Sequence, residues 1–244
     1  MHDVDRLQGA KRYLFLIFVG LCFSFLPGDE SAAAGKYTGE KIIYVISPLG
    51  RAEYNDLGEV EVDGKRLDRV TFRTQIMGFD DTETIYSGIQ DRLPVKVERD
   101  ISRWSRKERL IEQYDQKTFE LTIDKFKNQK KVKQYFFKKD GPLHNAILLP
   151  FYLRMVEDLD IGWEMQVRIP YEFTVRLESI EEIEIPAGKF MTYHFTSIPK
   201  KIEIWITKDD LRLPIKIKGP GDIKYTMTMK KHSLPQEAEA GKAP

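Results

Sequence analysis

The sequence is nearly free of cysteine: its 244 residues hold one, Cys22. A lone thiol supports neither an internal disulfide nor a zinc–cysteine centre, so a disulfide-stapled scaffold is excluded. Histidine is scarce as well. His2, His144, His194 and His232 are far apart in sequence, which leaves no local imidazole pair for a metal. No Gly-x-Ser-x-Gly elbow and no Walker loop occurs, so the commonest hydrolase and nucleotide motifs are missing. An excess of one charge is lacking too. Lys and Arg total 39 against 38 Asp and Glu, a balance without the long-range field that draws a domain to nucleic acid.

Long apolar runs are absent with one exception. Tyr13–Leu26 (YLFLIFVGLCFSFL) follows Lys11 and Arg12, stops at Pro27-Gly28 and precedes Ser31-Ala32-Ala33-Ala34. It is shorter than the roughly 20 apolar residues that span a bilayer. A basic start, a short apolar stretch and a small-residue site form the secretory signal pattern. Cleavage is expected between Ala34 and Gly35, which removes Cys22 and leaves a periplasmic domain with no transmembrane segment; a retained anchor is the alternative. A lipidated Cys22 is disfavoured, because Leu21 precedes it and the apolar run continues through Phe23 and Phe25. Residues 1–34 hold three bases and four acids, so the remainder carries 36 bases and 34 acids.

What the rest does contain is period-two alternation. Strands are predicted at 41–46, 59–62, 69–76, 82–87, 93–97, 109–114, 118–126 and 132–137, then at 165–169, 173–177, 180–185, 190–196, 202–207, 213–217 and 223–229. Asp63-Gly64 and Pro186-Ala187-Gly188-Lys189 read as turns. The lysine-rich 124–133 reads as a solvated hairpin end. Arg103-Trp104-Ser105-Arg106-Lys107 reads as a solvated turn, with contact to phosphate head groups or to a nucleic acid as the sharper alternatives. Between Pro142 and Ile161 the pattern changes. Ile147, Leu148, Phe151, Tyr152 and Met155 fall at three- and four-residue spacing, predicting a helix over 143–158. Pro150 inside it implies either a kink or a place in the first turn.

The chain therefore divides into a signal segment (1–34), a single β-rich domain (35–234) and a tail (235–244) whose Ala, Glu, Pro and Gly content predicts disorder. Within the domain, Asp91-Arg92-Leu93-Pro94-Val95-Lys96-Val97 echoes Leu211-Arg212-Leu213-Pro214-Ile215-Lys216-Ile217. A strand bearing an aromatic, Tyr86 or Trp205, precedes each copy. Two meanders of similar plan, 35–140 and 162–234, are expected on either side of the helix. The fold class is mainly β: a large curved antiparallel sheet, a half-barrel or barrel, with one central helix packed on it.

Several segments resemble a family of exported bacterial proteins known as domain of unknown function 3108. They are Gly39-Glu40-Lys41-Ile42-Ile43-Tyr44, Leu153-Arg154 with Asp160-Ile161-Gly162, Glu181 to Phe190 around Pro-Ala-Gly-Lys-Phe, and Ile204-Trp205 through Leu213-Pro214. The resemblance implies a fold like the periplasmic lipoprotein carriers and their receptor, and no established activity or catalytic residue. The chain departs from the family at Asp140 to Ala146, where the family has a serine-bearing helix start. No helix-borne role is carried over.

The histidines offer no catalyst; His194 lies in a strand as a packing residue. The acidic pairs Asp80-Asp81 and Asp209-Asp210 are expected in turns, where aspartate is favoured. The expected function is binding or carrying a hydrophobic small molecule or lipid. Tyr86, Phe151, Tyr152, Met155 and Trp205 are the candidate lining, Tyr86 and Trp205 being either core anchors or cavity walls. The alternatives are an envelope assembly protein that binds another protein by its sheet edge or helix face, and an enzyme without a recognisable motif. No cofactor, metal or nucleic acid is expected.

Overall fold

The computed structural model describes residues 37–219 and 225–235. By internal contacts the chain divides after Glu30, and the described residues all belong to the second unit. The signal segment 1–34, its cleavage site at Ala34 and Gly35, Cys22 and the tail beyond Pro235 lie outside them.

Fourteen antiparallel strands form one curved sheet that does not close. The first meander comprises β1 (Lys41–Ser47), β2 (Gly50–Val62), β3 (Lys65–Ile76), β4 (Phe79–Ser87), β5 (Pro94–Arg103), β6 (Arg106–Asp115), β7 (Glu120–Lys127) and β8 (Lys130–Lys138). The second comprises β9 (Glu164–Arg168), β10 (Glu172–Ile185), β11 (Gly188–Ile198), β12 (Glu203–Thr207), β13 (Pro214–Lys218) and β14 (Thr226–Ser233). Within each meander every strand pairs with the next in sequence, and β1 with β14 joins the two series.

Turn chemistry sets the register. Asp63 and Gly64 both take positive φ (51° and 72°) between paired Val62 and Lys65, the conformation that matches strand twist in a two-residue hairpin. Bulges explain where the strand pattern is broken. β2 begins nine residues before the alternation predicts, because a bulge between Asp56 and Glu59 changes its phase. There Asp56 Oδ1 accepts the N–H of Gly58, whose φ is +71°. The two strands predicted at 173–177 and 180–185 are one strand, β10. Its bulge between Leu177 and Ser179 interrupts the regular alternation of Phe173, Val175 and Leu177.

β8 and β9 are consecutive but lie at opposite edges of the sheet, so their connection must cross its inner face. That connection holds the described helix, α1 (Leu149–Leu153). The helix predicted over 143–158 is thus much shorter. Pro150 sits in its first turn, where a missing N–H costs nothing, and its ring forbids a helical turn running back to Ala146. Asn145 Oδ1 instead accepts the N–H groups of Ile147 and Leu148, an Asx turn that competes with helix. The apolar spacing persists because Leu143, Leu148, Leu149, Phe151 and Leu153 are all buried against the inner face. They meet Tyr44, Tyr54, Ile85, Val97, Phe195 and Ile204 there, in one continuous core.

Candidate functional site

The core is incomplete at one place. Between the α1 segment and the inner face lies a cavity of about 220 Å³, bounded by Leu149, Pro150 and Phe151 on one side and by Tyr44, Ile204 and Ile217 on the other. Phe151 stacks on Tyr54 with ring centroids 3.8 Å apart. The Tyr44 hydroxyl donates to the carbonyl of Pro214 at 2.8 Å, which satisfies it within an otherwise apolar wall. A second cavity, of about 240 Å³, adjoins the first, and the two share Phe72, Ile147, Tyr225 and Met227.

The second cavity is different in character. Asp81, Glu83 and Arg99 line it. Asp81 and Glu83 have the same parity as Ile85 in β4 and therefore point inward with it. Arg99, paired with Glu83 across β4 and β5, donates through Nε to both Asp81 oxygens at 3.0 and 2.9 Å and lies 3.4 Å from Glu83 Oε1. Glu112 stands near by and accepts the Tyr114 hydroxyl at 2.5 Å. Burial pushes the Glu83 carboxyl up to about 7, with Arg99 opposing and Asp81 and Glu112 adding to the rise. Burial raises Glu112 as well. One guanidinium thus serves three carboxyl groups, and near neutral pH Glu83 can donate or accept a hydrogen bond. Among the described residues no group of His, Cys, Asp and Glu is placed to hold a metal ion.

Of the five residues predicted to line a cavity, Phe151 does. Tyr152 packs edge-on against His144, and Met155 is exposed beyond α1. Tyr86 and Trp205 occupy equivalent places, opposite Lys96 and Lys216. Both face away from the cavity, since their neighbours Ile85 and Ile204 point inward. Trp205 is a buried anchor on the outer face. It stacks on His194 at 4.2 Å, its indole N–H donates to Glu181 at 2.8 Å, and Lys216 stands 4.7 Å from its ring centre. His194 is accordingly a packing partner. Asp209 does cap a turn, accepting the N–H groups of Leu211 and Arg212. Asp80 and Asp81 do not: they lie within β4 on opposite faces, Asp80 pairing with Arg73 outside.

Sequence reasoning missed Tyr44, Phe72, Tyr171, Tyr225 and Met227 in the walls, and the acids at the polar end. The signal for the acids was present: Asp81, Glu83 and Ile85 alternate in one strand, which puts two carboxylates on an apolar face. A larger hollow of about 470 Å³ between β5, β6 and β7 is lined by Asp100, Lys107, Arg109 and Phe126 among others. None of its lining residues is buried, so it encloses no ligand.

Comparison with known proteins follows the same lines. The family described as "Protein of unknown function (DUF3108)" matches residues 56–229. No curated protein matches. A solved structure, a beta-barrel-like protein of domain of unknown function DUF1849 from Brucella abortus, is similar at 9% identity and a TM-score of 0.50. The match covers 80% of this chain and 97% of that one. At that identity the likeness concerns the fold alone.

Proposed function

The chain belongs to the DUF3108 family of proteins of unknown function, and from that premise we propose that it binds an amphiphile, such as a lipid or a long acyl chain, beneath α1. The observation that carries this reading is the pair of adjoining cavities, one apolar and one ending in Asp81, Glu83 and Arg99. Apolar walls with a few convergent polar groups are the usual make-up of a small-molecule site. An apolar chain would occupy the first cavity, and a head group that exchanges hydrogen bonds with Glu83 or Asp81 the second. Export to the periplasm belongs to the same proposal and is supported by the signal pattern of residues 1–34.

A protein partner bound by sheet augmentation has less support. The β8 edge carries Lys130, Lys131, Lys133 and Lys138, a device that discourages further strand pairing. Part of the β9 edge is occupied, because the His144 N–H donates to the carbonyl of Arg168.

Native mass spectrometry of protein isolated from the periplasm tests the proposal. The expected result is a bound species that dissociates with the mass of a lipid or fatty acid. Bare polypeptide from every preparation, together with no displacement of a fluorescent acyl probe, would overturn it.

A further inference from the structure

The meanders place six connections at one end of the sheet. The β1–β2, β3–β4, β5–β6 and β7–β8 turns lie on the same side, and the pairing of Ser47 with Thr226 brings the β9–β10 and β11–β12 connections beside them, with the end of β13 and the start of β14. This end is apolar where it should be polar. Leu49, Ile76, Met77, Trp104, Tyr171 and Ile198 are all exposed there, Trp104 at 81% and Met77 at 76%. They are not scattered. A Cβ on Gly78 would meet the Trp104 indole at 2.6 Å, and one on Gly50 would meet Ile76 Cγ1 at 2.9 Å. Leu49, Ile76, Met77 and Trp104 thus form a run along the rim.

Trp104 is also held in an unfavourable conformation. It takes φ +53° in the two-residue turn between paired Arg103 and Arg106, a position that favours glycine. Its N–H is tied to the carbonyl of Gly78 at 2.8 Å. A bulky aromatic with positive φ, 81% exposed and touching the fold at Gly78, leaves most of its ring in solvent.

The charges at this end are positive. Arg103, Arg106 and Lys107 flank Trp104, Lys201 follows Ile198 beside Lys200, which pairs with Glu203 at 3.1 Å, and Asp80 is neutralised by Arg73. Arg103 lies over Phe79 at 5.3 Å and Lys201 over Tyr171 at 5.6 Å. Phe79 and Ile76 line the polar cavity, Tyr171 and Ile202 the apolar one. Both cavities therefore extend to the same end.

We propose that this rim docks on an anionic membrane surface, with Trp104, Met77, Ile76 and Leu49 entering the interface and the arginines and lysines meeting lipid phosphates. Apolar and aromatic tips beside Lys and Arg are the composition that lies in a bilayer interface, and an aromatic beside cations suits its headgroup level. An acidic protein surface would match the cations, yet would leave four projecting apolar tips without a partner. The inference is independent of cavity contents, because a protein with an empty cavity would still dock.

Co-sedimentation of the full protein with vesicles of phosphatidylglycerol and phosphatidylcholine, against phosphatidylcholine alone, is the test. Binding is expected to the anionic vesicles, falling as salt screens the charges. The double variant Met77→Ser/Trp104→Ser should bind about tenfold more weakly or worse. Arg106→Ser/Lys107→Ser should lose about tenfold through charge. Trp104→Phe should retain binding while losing quenching of tryptophan fluorescence by brominated lipid. An unchanged thermal midpoint for the exposed-tip variants separates docking from folding. Failure to sediment with anionic vesicles at low salt, equal binding to neutral vesicles, or binding unaltered in both double variants would overturn the proposal.

Discussion

Arg154 Nη1 donates to Glu40 Oε2 at 2.7 Å, and Nη2 donates to Oε1 at 3.1 Å, joining residues 114 apart in sequence. The pair is buried, the two side chains being 2% and 0% exposed. It fastens the end of α1 to the start of β1. Arg154 also donates to the carbonyl of Leu211 at 2.8 Å, lies over Tyr37 at 3.8 Å, and leaves His232 Nε2 2.9 Å from Glu40. Removing one partner leaves an uncompensated charge. Arg154→Met should therefore destabilise the protein by about 3–5 kcal/mol, whereas Glu40→Met/Arg154→Met should recover most of that loss. Urea unfolding of the single and double variants measures both, and a double variant as unstable as the single would refute the account.

The two halves of the sheet carry a second arginine relationship. Arg92 and Arg212 both take positive φ (52° and 46°) immediately before a leucine and a strand-opening proline. Their side chains do different work. Arg92 is buried between Asp56 and Asp68, whereas Arg212 donates to the carbonyl of Val156. Arg92→Ala strands two buried carboxylates and should cost about 3–5 kcal/mol. Arg212→Ala removes a hydrogen bond to a neutral group and should cost about 1–2 kcal/mol. Thermal unfolding of the two variants side by side distinguishes these roles from a shared backbone role, for which the losses would be equal.

That echo shows how much was legible. The matched Arg-Leu-Pro segments, the Asp63-Gly64 turn and the equivalent places of Tyr86 and Trp205 follow from local chemistry that each segment carries. What stayed hidden depends on the whole sheet. Alternation assigns two faces to a strand but does not say which is inner when both carry aromatics, so Tyr86 and Trp205 read as either core anchors or cavity walls; both face away from the cavity, and Trp205 is buried on the outer face. Tyr171 and Tyr225 meet in the cavity wall because the second meander curls until β10 touches β14. The helix was overestimated because burial of a crossing segment mimics the spacing of a helical face.

Glu83 should make stability depend on pH. Its carboxyl stands near 7 in the fold against 4.5 as the ordinary value, mainly through burial. Between those values the folded state binds more protons than the unfolded state, so stability falls as pH rises from about 4.5 to 7. The difference corresponds to about 3 kcal/mol. Glu83→Gln should remove this loss, leaving the variant more stable than the parent at pH 8 and close to it at pH 4. Denaturant titrations across that range check the sign; a parent as stable as the variant at pH 8 would show that Arg99 already holds Glu83 ionised.

His144 should act in the opposite sense. Burial, aided by the neighbouring Arg168 charge, pushes its imidazole down to about 4 from 6.5. Its Nδ1 accepts the N–H of Arg168 at 3.2 Å, a bond that needs the ring unprotonated at that nitrogen. The folded state binds fewer protons than the unfolded state between pH 4 and 6.5, so this contribution is present above 6.5 and is lost as pH falls through the window. His144→Gln should flatten the acid side of the profile relative to the parent. An imidazole that titrates above 6.5 by nuclear magnetic resonance would reverse the sign.

Filling the apolar cavity separates ligand binding from core packing. Ile217 lines it opposite α1. In a fully packed core, Ile217→Phe would cost about 1–3 kcal/mol through overpacking. Here the added volume enters space that already exists, so the change in stability should stay within about 1 kcal/mol. The same substitution takes room from an acyl chain, and affinity for a fluorescent acyl probe should fall about tenfold or more, a loss comparable to that of one or two buried methylenes. Glu83→Gln, by contrast, leaves the apolar wall intact and should alter head-group preference while sparing the binding of a simple fatty acyl probe. Measuring stability and probe affinity on both variants tests the two ends of the site apart. Strong destabilisation by Ile217→Phe with unchanged probe affinity would mean that the cavity is not where the chain binds.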